Sequence, residues 1–181
     1  MVEEARLESS ESGLSPKGEG WYVINAREAA WREDVFGRWC PFEGDVRFPE
    51  LGINVSVIHP GKPNCMYHRE TNQEDFLVLA GEGALLVEEQ ERPLKAWDFV
   101  HCPAETNHVF VAASEPFVIL AVGARKADDE VVYPVSELAQ RYDASVLEET
   151  TSAQEAYARF PKSIETPYRE GDLPDWGPLK S

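Results

Sequence analysis

The chain has 181 residues, of which 43% are hydrophobic, and it carries a net charge of −16 at pH 7. This length suits one domain with extensions and is sufficient to bury a hydrophobic core without covalent support. The negative charge argues against nucleic acid or an anionic membrane as a partner, because both would be repelled. No apolar run approaches the ~20 residues of a membrane span.

The cysteines and the N-terminus indicate a cytoplasmic protein. The chain has three cysteines, an odd number, at the widely spaced positions Cys40, Cys65 and Cys102, and it has no Cys-x-x-Cys pair. This pattern favours reduced thiols. The first residues are acidic, whereas a secretory signal begins with a basic segment that is followed by an apolar one. Cys65 and Cys102 flank histidines, but a free cysteine is usually a small buried hydrophobe. Thiolate ligation of a metal is therefore the less favoured interpretation.

The N-terminal region divides into a polar tail and the start of a folded domain. Residues 1–19 hold few large apolar groups and are predicted to form a disordered acidic tail, because they cannot offset the entropy of ordering. Asn25 is placed to cap a short helix over residues 26–33. Residues 35–42 are predicted to be irregular or a strand, with Trp39 and Phe42 as core candidates.

Residues 20–125 are predicted to form one β-barrel domain. Runs of alternating or continuous apolar residues, separated by turn residues, predict short strands at 53–57, 65–70, 76–80, 84–88, 99–102, 108–112 and 117–122. Two prolines and a glycine make residues 59–63 a loop, and Gly81-Glu-Gly83 predicts a tight hairpin. Short strands at this spacing are typical of a β-sandwich or a closed barrel.

The C-terminal region, residues 126–181, is predicted to be a helical and extended addition to the barrel. Residues 134–142 and 151–160 have helical character, and Thr151 or Ser152 can cap the second helix. Pro161 ends that helix because proline disfavours helix in the residue before it. The last twenty residues are expected to lie as a strap over the barrel or over a partner subunit, through Tyr168, Leu173 and Trp176.

Two histidines and two glutamates predict a metal site. All four histidines of the chain fall within fifty residues, and His68 and Glu70 share one face of a predicted strand because side chains alternate. Glu74 starts the next strand, and His108 starts a later one after the turn at residues 103–107. Imidazole nitrogen and carboxylate oxygen are ligands for divalent transition metals. We therefore predict His68, Glu70, Glu74 and His108 as metal ligands.

These residues resemble the two motifs of the cupin superfamily, G-x5-H-x-H-x3/4-E-x6-G and G-x5-P-x-G-x2-H-x3-N. His68 matches the first histidine, Glu74 and Gly81 match the E-x6-G half, and Pro103 with His108 match the P-x4-H of the second motif. The resemblance covers about residues 50–125. It implies a mainly β fold, the cupin double-stranded β-helix or jelly-roll barrel, with a short N-terminal arm and a C-terminal helical extension.

The chain departs from these motifs at several positions. Glu70 stands where the second histidine belongs, Glu105 replaces a turn glycine, and Ala112 replaces the final asparagine. Gly61 lies one residue too early for the opening glycine, and Ala96 or Trp97 stands in place of the second motif's first glycine. The metal set that the resemblance implies changes accordingly, from three histidines and one glutamate to two of each.

The other polar residues near the motifs have simpler interpretations. His59 precedes a proline-rich loop and is predicted to lie at the surface or beside the site without binding metal. His101 is interpreted as structural, and Asp75 and Asp98 as turn or edge residues. Tyr67 is expected to pack outside the barrel, since alternation turns it away from His68. After the four ligands are assigned, no further titratable group is clearly aimed into the barrel.

The resemblance implies a divalent metal cofactor and a small-molecule ligand. Two imidazoles and two carboxylates fit Zn²⁺, Mn²⁺, Fe²⁺ or Ni²⁺, and the residue types do not choose among them. The leading hypothesis is a metal-binding cupin that acts on a small polar organic molecule as an oxidoreductase or isomerase, with no catalytic group assigned beyond the ligands. The alternatives are a non-catalytic binding or sensing cupin and a metal-free cupin kept for assembly.

A homodimer is also expected. Cupins are commonly dimers, and the aromatic residues that flank the predicted barrel outnumber what one small core needs. These residues are Trp21, Trp31, Trp39, Tyr168 and Trp176.

Overall fold

The fold consists mainly of antiparallel β-structure, which the computed structural model describes for residues 1–126 and 128–175. The strands in these residues are β1 Arg6–Ser10, β2 Gly13–Lys17, β3 Trp31–Glu33, β4 Gly37–Cys40, β5 Leu51–Ile58, β6 Arg69–Glu70, β7 Glu74–Ala80, β8 Glu82–Val87, β9 Gln90–Lys95, β10 Phe99–Cys102, β11 His108–Ala112, β12 Phe117–Ala124, β13 Val131–Val132 and β14 Ile164–Thr166. The helices are α1 Glu137–Gln140 and α2 Ala153–Ala156.

Two sheets of unequal size enclose the main hydrophobic core. The larger sheet has the order β10-β7-β12-β5-β4-β3-β14, and the smaller has the order β11-β8-β9. Their facing side chains form one buried cluster, which includes Ile58, Phe76, Val78, Leu85, Phe110, Phe117 and Ile119. Burial of these apolar groups is the main force that holds the sheets together. The predicted mainly β jelly-roll fold is confirmed.

Gly81 lies at a corner between the sheets, so the predicted hairpin is wrong. Strand β7 belongs to the larger sheet and β8 to the smaller one, and the two strands do not pair with each other. Gly81 has a φ of 81°, and a Cβ there would lie 2.3 Å from the carbonyl oxygen of Pro116. The chain therefore needs glycine where it crosses from one sheet to the other.

Two predictions for the N-terminal region are also wrong. Within residues 1–19, predicted to be disordered, β1 and β2 form a hairpin with a five-residue register. Residues 26–33, predicted to be helical, contain a turn and then strand β3. Trp31 decides the second case, because its ring is fully buried against the outer face of the larger sheet and its Nε1 donates to Ala26 O at 2.8 Å.

The helices of the C-terminal extension are shorter than predicted, and the serine cap predicted for the second helix is confirmed. Ser136 and Ser152 cap α1 and α2 by accepting bonds from backbone N–H groups, and each helix has four residues. Within residues 1–126 and 128–175, no helix has the length and apolar character to cross a membrane.

The C-terminal extension covers both sheets. Ala139 and Ala144 pack with Tyr67 on the outer face of the smaller sheet, so Tyr67 lies outside the barrel as predicted. Further along, β14 pairs with β3, and Tyr168 and Leu173 pack against the outer face of the larger sheet. A strap over the barrel is therefore present up to residue 175, and Trp176 lies outside the described residues.

Candidate metal centre

His68 and His108 lie opposite each other across an antiparallel bridge between the segment before β6 and the start of β11. The His108 amide donates to His68 O at 2.8 Å, and the His68 amide donates to His108 O at 3.2 Å. Their ring centroids are 4.8 Å apart. The backbone itself thus places the two imidazoles side by side.

A second set of hydrogen bonds orients both rings. Nδ1 of His68 lies 2.9 Å from Met66 O, and Nδ1 of His108 lies 3.0 Å from Thr106 O. Because a carbonyl oxygen only accepts, each Nδ1 carries the proton and donates it. In the neutral tautomer this leaves both Nε2 atoms with a free lone pair, as metal ligation requires.

Glu74, the first residue of β7, completes a triad with the two histidines. Its Oε2 is 3.2 Å from His108 Nε2 and 3.8 Å from His68 Nε2. The ligand atoms of these three residues all lie within 4.8 Å of one another. Such a set can contact one cation at the ~2.0–2.2 Å that imidazole and carboxylate ligands need.

The triad also contains buried polar atoms that lack hydrogen bonds, as expected of atoms that bind a cation. Glu74 Oε2 and His108 Nε2 are buried 3.2 Å apart, and neither makes a geometrically satisfied hydrogen bond among the described residues. Leaving such atoms buried and unsatisfied is costly. A divalent cation would satisfy both of them together with His68 Nε2.

Glu70 lies at the edge of this triad. Its Oε1 is 3.7 Å from His68 Nε2, and its side chain is about as exposed as that of Glu74, at 22% against 17%. Strand β6, which carries it, pairs with β13 of the C-terminal extension, and the Glu105 amide donates to Glu70 O at 2.7 Å. These contacts fix the backbone of Glu70.

Burial and mutual interaction set the charge states of these groups. Burial, reinforced by neighbouring His108, lowers the pKa of His68 to about 4. Burial alone would raise the pKa of Glu74 and lower the pKa of His108. The attraction between the two side chains is stronger than this effect, so the pKa of Glu74 is lowered and the pKa of His108 is raised. Burial, together with Glu74 and Asp129, raises the pKa of Glu70 to about 7. His68 is therefore neutral and ready to bind at physiological pH.

His68 and Glu74 of the triad line a cleft of about 380 Å³ between the barrel and the C-terminal extension, and the side chain of His108 is buried beside Glu74. Aromatic, amide and hydroxyl side chains form its walls, together with Asp34, Cys65, Tyr133 and Tyr157. The sequence-based expectation that no further titratable group points into the barrel is therefore wrong for the described residues. Asp34 lies in the β3–β4 turn and Tyr133 follows β13, so both arrive from outside the motif region, where local patterns gave no signal.

The remaining candidates lie away from the three ligand atoms. His101 is half exposed and pairs with Asp75 at 2.6 Å, and Cys102 is buried in the core between the sheets. Cys65 Sγ is 3.6 Å from Nδ1 of His68, on the ring edge opposite Nε2. Thiolate ligation is thus not favoured by this geometry.

Comparison with known proteins identifies the barrel region. Residues 54–123 match the cupin domain family, which confirms the resemblance drawn from the motifs. No curated protein sequence matches the chain.

Solved structures similar to this chain include cupin proteins. A proposed sugar phosphate isomerase from Acidithiobacillus ferrooxidans is 34% identical with a TM-score of 0.45, and a sugar phosphate isomerase of the cupin superfamily from Silicibacter pomeroyi is 26% identical with a TM-score of 0.44. The alignments cover 47% and 46% of this chain, and 56% of each of those chains. A cupin 2 conserved barrel domain protein from Salinispora arenicola is 20% identical over 62% of this chain and 81% of its own length, with a TM-score of 0.42.

Proposed function

Since residues 54–123 belong to the cupin family, we propose that this chain is a metal-binding cupin that holds one divalent cation through His68, Glu74 and His108. The observation that carries this proposal is the pair of buried, unpartnered atoms His108 Nε2 and Glu74 Oε2, with His68 Nε2 beside them. Hydrogen bonds from both Nδ1 atoms to backbone carbonyls support it further, because they fix the ring orientation and the tautomer.

Glu70 is proposed as the fourth ligand. Its Oε1 lies 3.7 Å from His68 Nε2. With Glu70 included, the two glutamates carry the two negative charges that balance a divalent cation, and the two imidazoles are neutral. Zn²⁺, Mn²⁺, Fe²⁺ and Ni²⁺ all accept this mixed nitrogen and oxygen set.

The cleft is proposed to take a small polar organic molecule for an oxidoreductase or isomerase reaction. When bound, a divalent cation polarises a carbonyl or lowers the pKa of a hydroxyl group. Tyr133 lines the same cleft, and burial together with Cys65 and Glu70 raises the pKa of its hydroxyl to about 12. It therefore stays protonated at neutral pH and can donate a hydrogen bond to a ligand oxygen.

Elemental analysis of protein purified without chelator tests the metal proposal. We expect about one transition metal per chain, lost in His68→Ala and in His108→Ala. His101→Ala is the matched control, because His101 is half exposed, pairs with Asp75 and lies outside the triad. Metal-free wild-type protein from supplemented medium would contradict the proposal, as would equal losses in all three variants.

The second candidate function is non-catalytic binding or sensing of a small molecule at the same site. Turnover assays with the metal-loaded protein separate the two functions, since a sensor binds its ligand and returns it unchanged. The titratable groups Asp34, Cys65, Tyr133 and Tyr157 in the cleft favour the enzyme, because acid–base steps need such groups near the bound molecule.

A cytoplasmic homodimer is proposed as the form of the protein. Trp31 and Tyr168, two of the aromatic residues that suggested it, pack against each other within one chain at 5.8 Å between ring centroids. Trp21 and Phe99 are 52% and 65% exposed and are available to a second copy. Light scattering during size-exclusion chromatography should give about twice the 20.3 kDa chain mass. A mass of one chain would contradict a dimer.

A further inference from the structure

The cleft around the triad contains more carboxylates than a divalent cation can neutralise. Glu70, Glu74 and Asp34 all line it, and Asp129 lies close enough to act on the charge of Glu70. Two carboxylates and two neutral histidines balance a cation of charge +2. The negative charge of Asp34 is then left over for an incoming ligand to meet.

Asp34 is held in place by the turn that contains it. Its Oδ1 accepts hydrogen bonds from the backbone amides of Phe36 at 2.8 Å and Gly37 at 3.2 Å. The second carboxylate oxygen makes no hydrogen bond to a described residue. A fixed, half-buried carboxylate in the wall of a cleft exerts a stronger field than a mobile one at the surface.

Two of the basic side chains near the barrel, Arg38 and Arg69, are already paired with acids. Arg38 is buried and lies between Glu33 and Asp172, and Arg69 pairs with Glu105 at 3.2 Å. Among the described residues that line the cleft, none is lysine or arginine. The side chains that do line it include Asn54, Ser56 and Asn64, which bind hydroxyl and amide groups, and the rings of Trp39, Phe76 and Tyr133.

We propose that this cleft selects an uncharged or cationic molecule that bears hydroxyl or amide groups, and that Asp34 is a specificity-determining residue that disfavours phosphorylated and carboxylated ligands. This inference rests on the proposed metal function, because the charge count assumes a bound cation. The neighbouring aromatic rings give such a molecule apolar faces to pack against. A phosphate or carboxylate would instead meet an uncompensated negative charge.

Nicotinamide and nicotinate test this inference as a matched pair. Both contain a pyridine nitrogen that can bind a metal. Nicotinamide carries an uncharged amide where nicotinate carries a carboxylate. Each is titrated into the cobalt-loaded protein at pH 8, and the visible cobalt spectrum reports binding. We expect nicotinamide to bind more tightly by roughly 2-fold to 30-fold, the range that one unit charge gives at a separation on the order of 8 Å.

Asp34→Asn tests the residue itself. Asparagine keeps the Oδ1 acceptor for the turn while removing the charge, so the variant should fold and should bind nicotinate more tightly, with nicotinamide unchanged. Glu115→Gln is the control, because it removes one exposed charge in the turn before β12. Equal or tighter binding of nicotinate by wild type would overturn the inference. Equal effects of the two substitutions would also overturn it, as would a cobalt spectrum that neither probe changes.

The cobalt content of each sample, measured before titration, separates the two proposals. Protein that holds no cobalt contradicts the metal function. Protein that holds one cobalt per chain but prefers nicotinate contradicts only the inference about ligand charge.

Discussion

The backbones of His68 and His108 hydrogen-bond to each other in both directions, at 2.8 Å and 3.2 Å. Because they form a directly opposed pair, their side chains emerge on the same face, and hydrogen bonds from both Nδ1 atoms to backbone carbonyls orient the rings. Glu74 begins strand β7 of the larger sheet, and its Oε2 lies 3.2 Å from His108 Nε2 and 3.8 Å from His68 Nε2. The triad is therefore largely preformed.

Substitution of the two glutamates should separate their roles. Glu74→Gln is expected to weaken zinc affinity by about 100-fold or more, since even residues that only orient ligands contribute about 10- to 100-fold. Glu70→Gln should weaken it less, because Glu70 lies outside the three ligand atoms that converge. Competition against a chromogenic chelator measures both. Equal affinities of wild type and Glu74→Gln would remove Glu74 from the ligand set.

The core behind His108 should be the most sensitive to truncation. Phe110 is fully buried and packs against Phe76 at 4.6 Å between ring centroids. Phe110→Ala should lower the free energy of unfolding by about 3–5 kcal/mol, measured by urea denaturation of the metal-free protein. Phe99→Ala is the control: it is 65% exposed and should change stability by only about 0.5 kcal/mol. Similar losses in both would contradict the core assignment.

The C-terminal strap should be held by a buried ion pair. Arg38 has a side chain only 1% exposed and contacts Asp172 and the carbonyl oxygen of Pro167. Asp172→Asn removes one partner of a buried charge and should lower the free energy of unfolding by about 1–3 kcal/mol, because Glu33 remains 3.4 Å from Arg38. Glu170→Gln, an exposed neighbour, should have little effect. Limited proteolysis should cut the strap sooner in Asp172→Asn alone.

The pair of Glu43 and Arg125 should make stability depend on pH in acid. Burial works to raise the pKa of Glu43, but hydrogen bonds from Arg125 and from the Phe48 amide prevail, and the pKa is lowered. Because the pKa of Glu43 is lower in the folded protein than in the unfolded chain, the ionised carboxylate stabilises the fold. This stabilisation is complete above the unfolded pKa of about 4.3. That stabilisation is lost as pH falls through the folded pKa.

Wild type and Glu43→Gln should therefore differ most in unfolding free energy above about pH 5 and converge as the pH falls through the lowered pKa of Glu43. Urea denaturation at a series of acidic pH values measures the difference. A gap that widens on acidification would show that the sign is wrong.

The sequence was sufficient to predict the triad but not the walls of the cleft. His68, Glu74 and His108 fall within recognisable motifs, and the alternation of strand residues placed Tyr67 outside the barrel. Asp34 and Tyr133 reach the cleft from segments far from those motifs. Their positions depend on tertiary packing, which local patterns do not encode.

Where local prediction failed, long-range packing explains the outcome. Gly81 is as suitable for a hairpin as for a corner, and only the pairing partners of β7 and β8 distinguish the two. Strand β9 was missed because its sequence is polar and contains Pro93, which is tolerated since β9 is an edge strand. Trp31 lies in a strand because its ring packs on the larger sheet, which outweighs the helical pattern around it.

Anomalous X-ray scattering from crystals of the purified protein shows whether a metal is bound by the triad of His68, Glu74 and His108. Data collected on either side of the absorption edge of the bound metal locate that element in the molecule. We expect one peak about 2.0–2.2 Å from Nε2 of His68, Nε2 of His108 and a carboxylate oxygen of Glu74. A triad without a peak, in crystals of protein shown to contain stoichiometric metal, would contradict it.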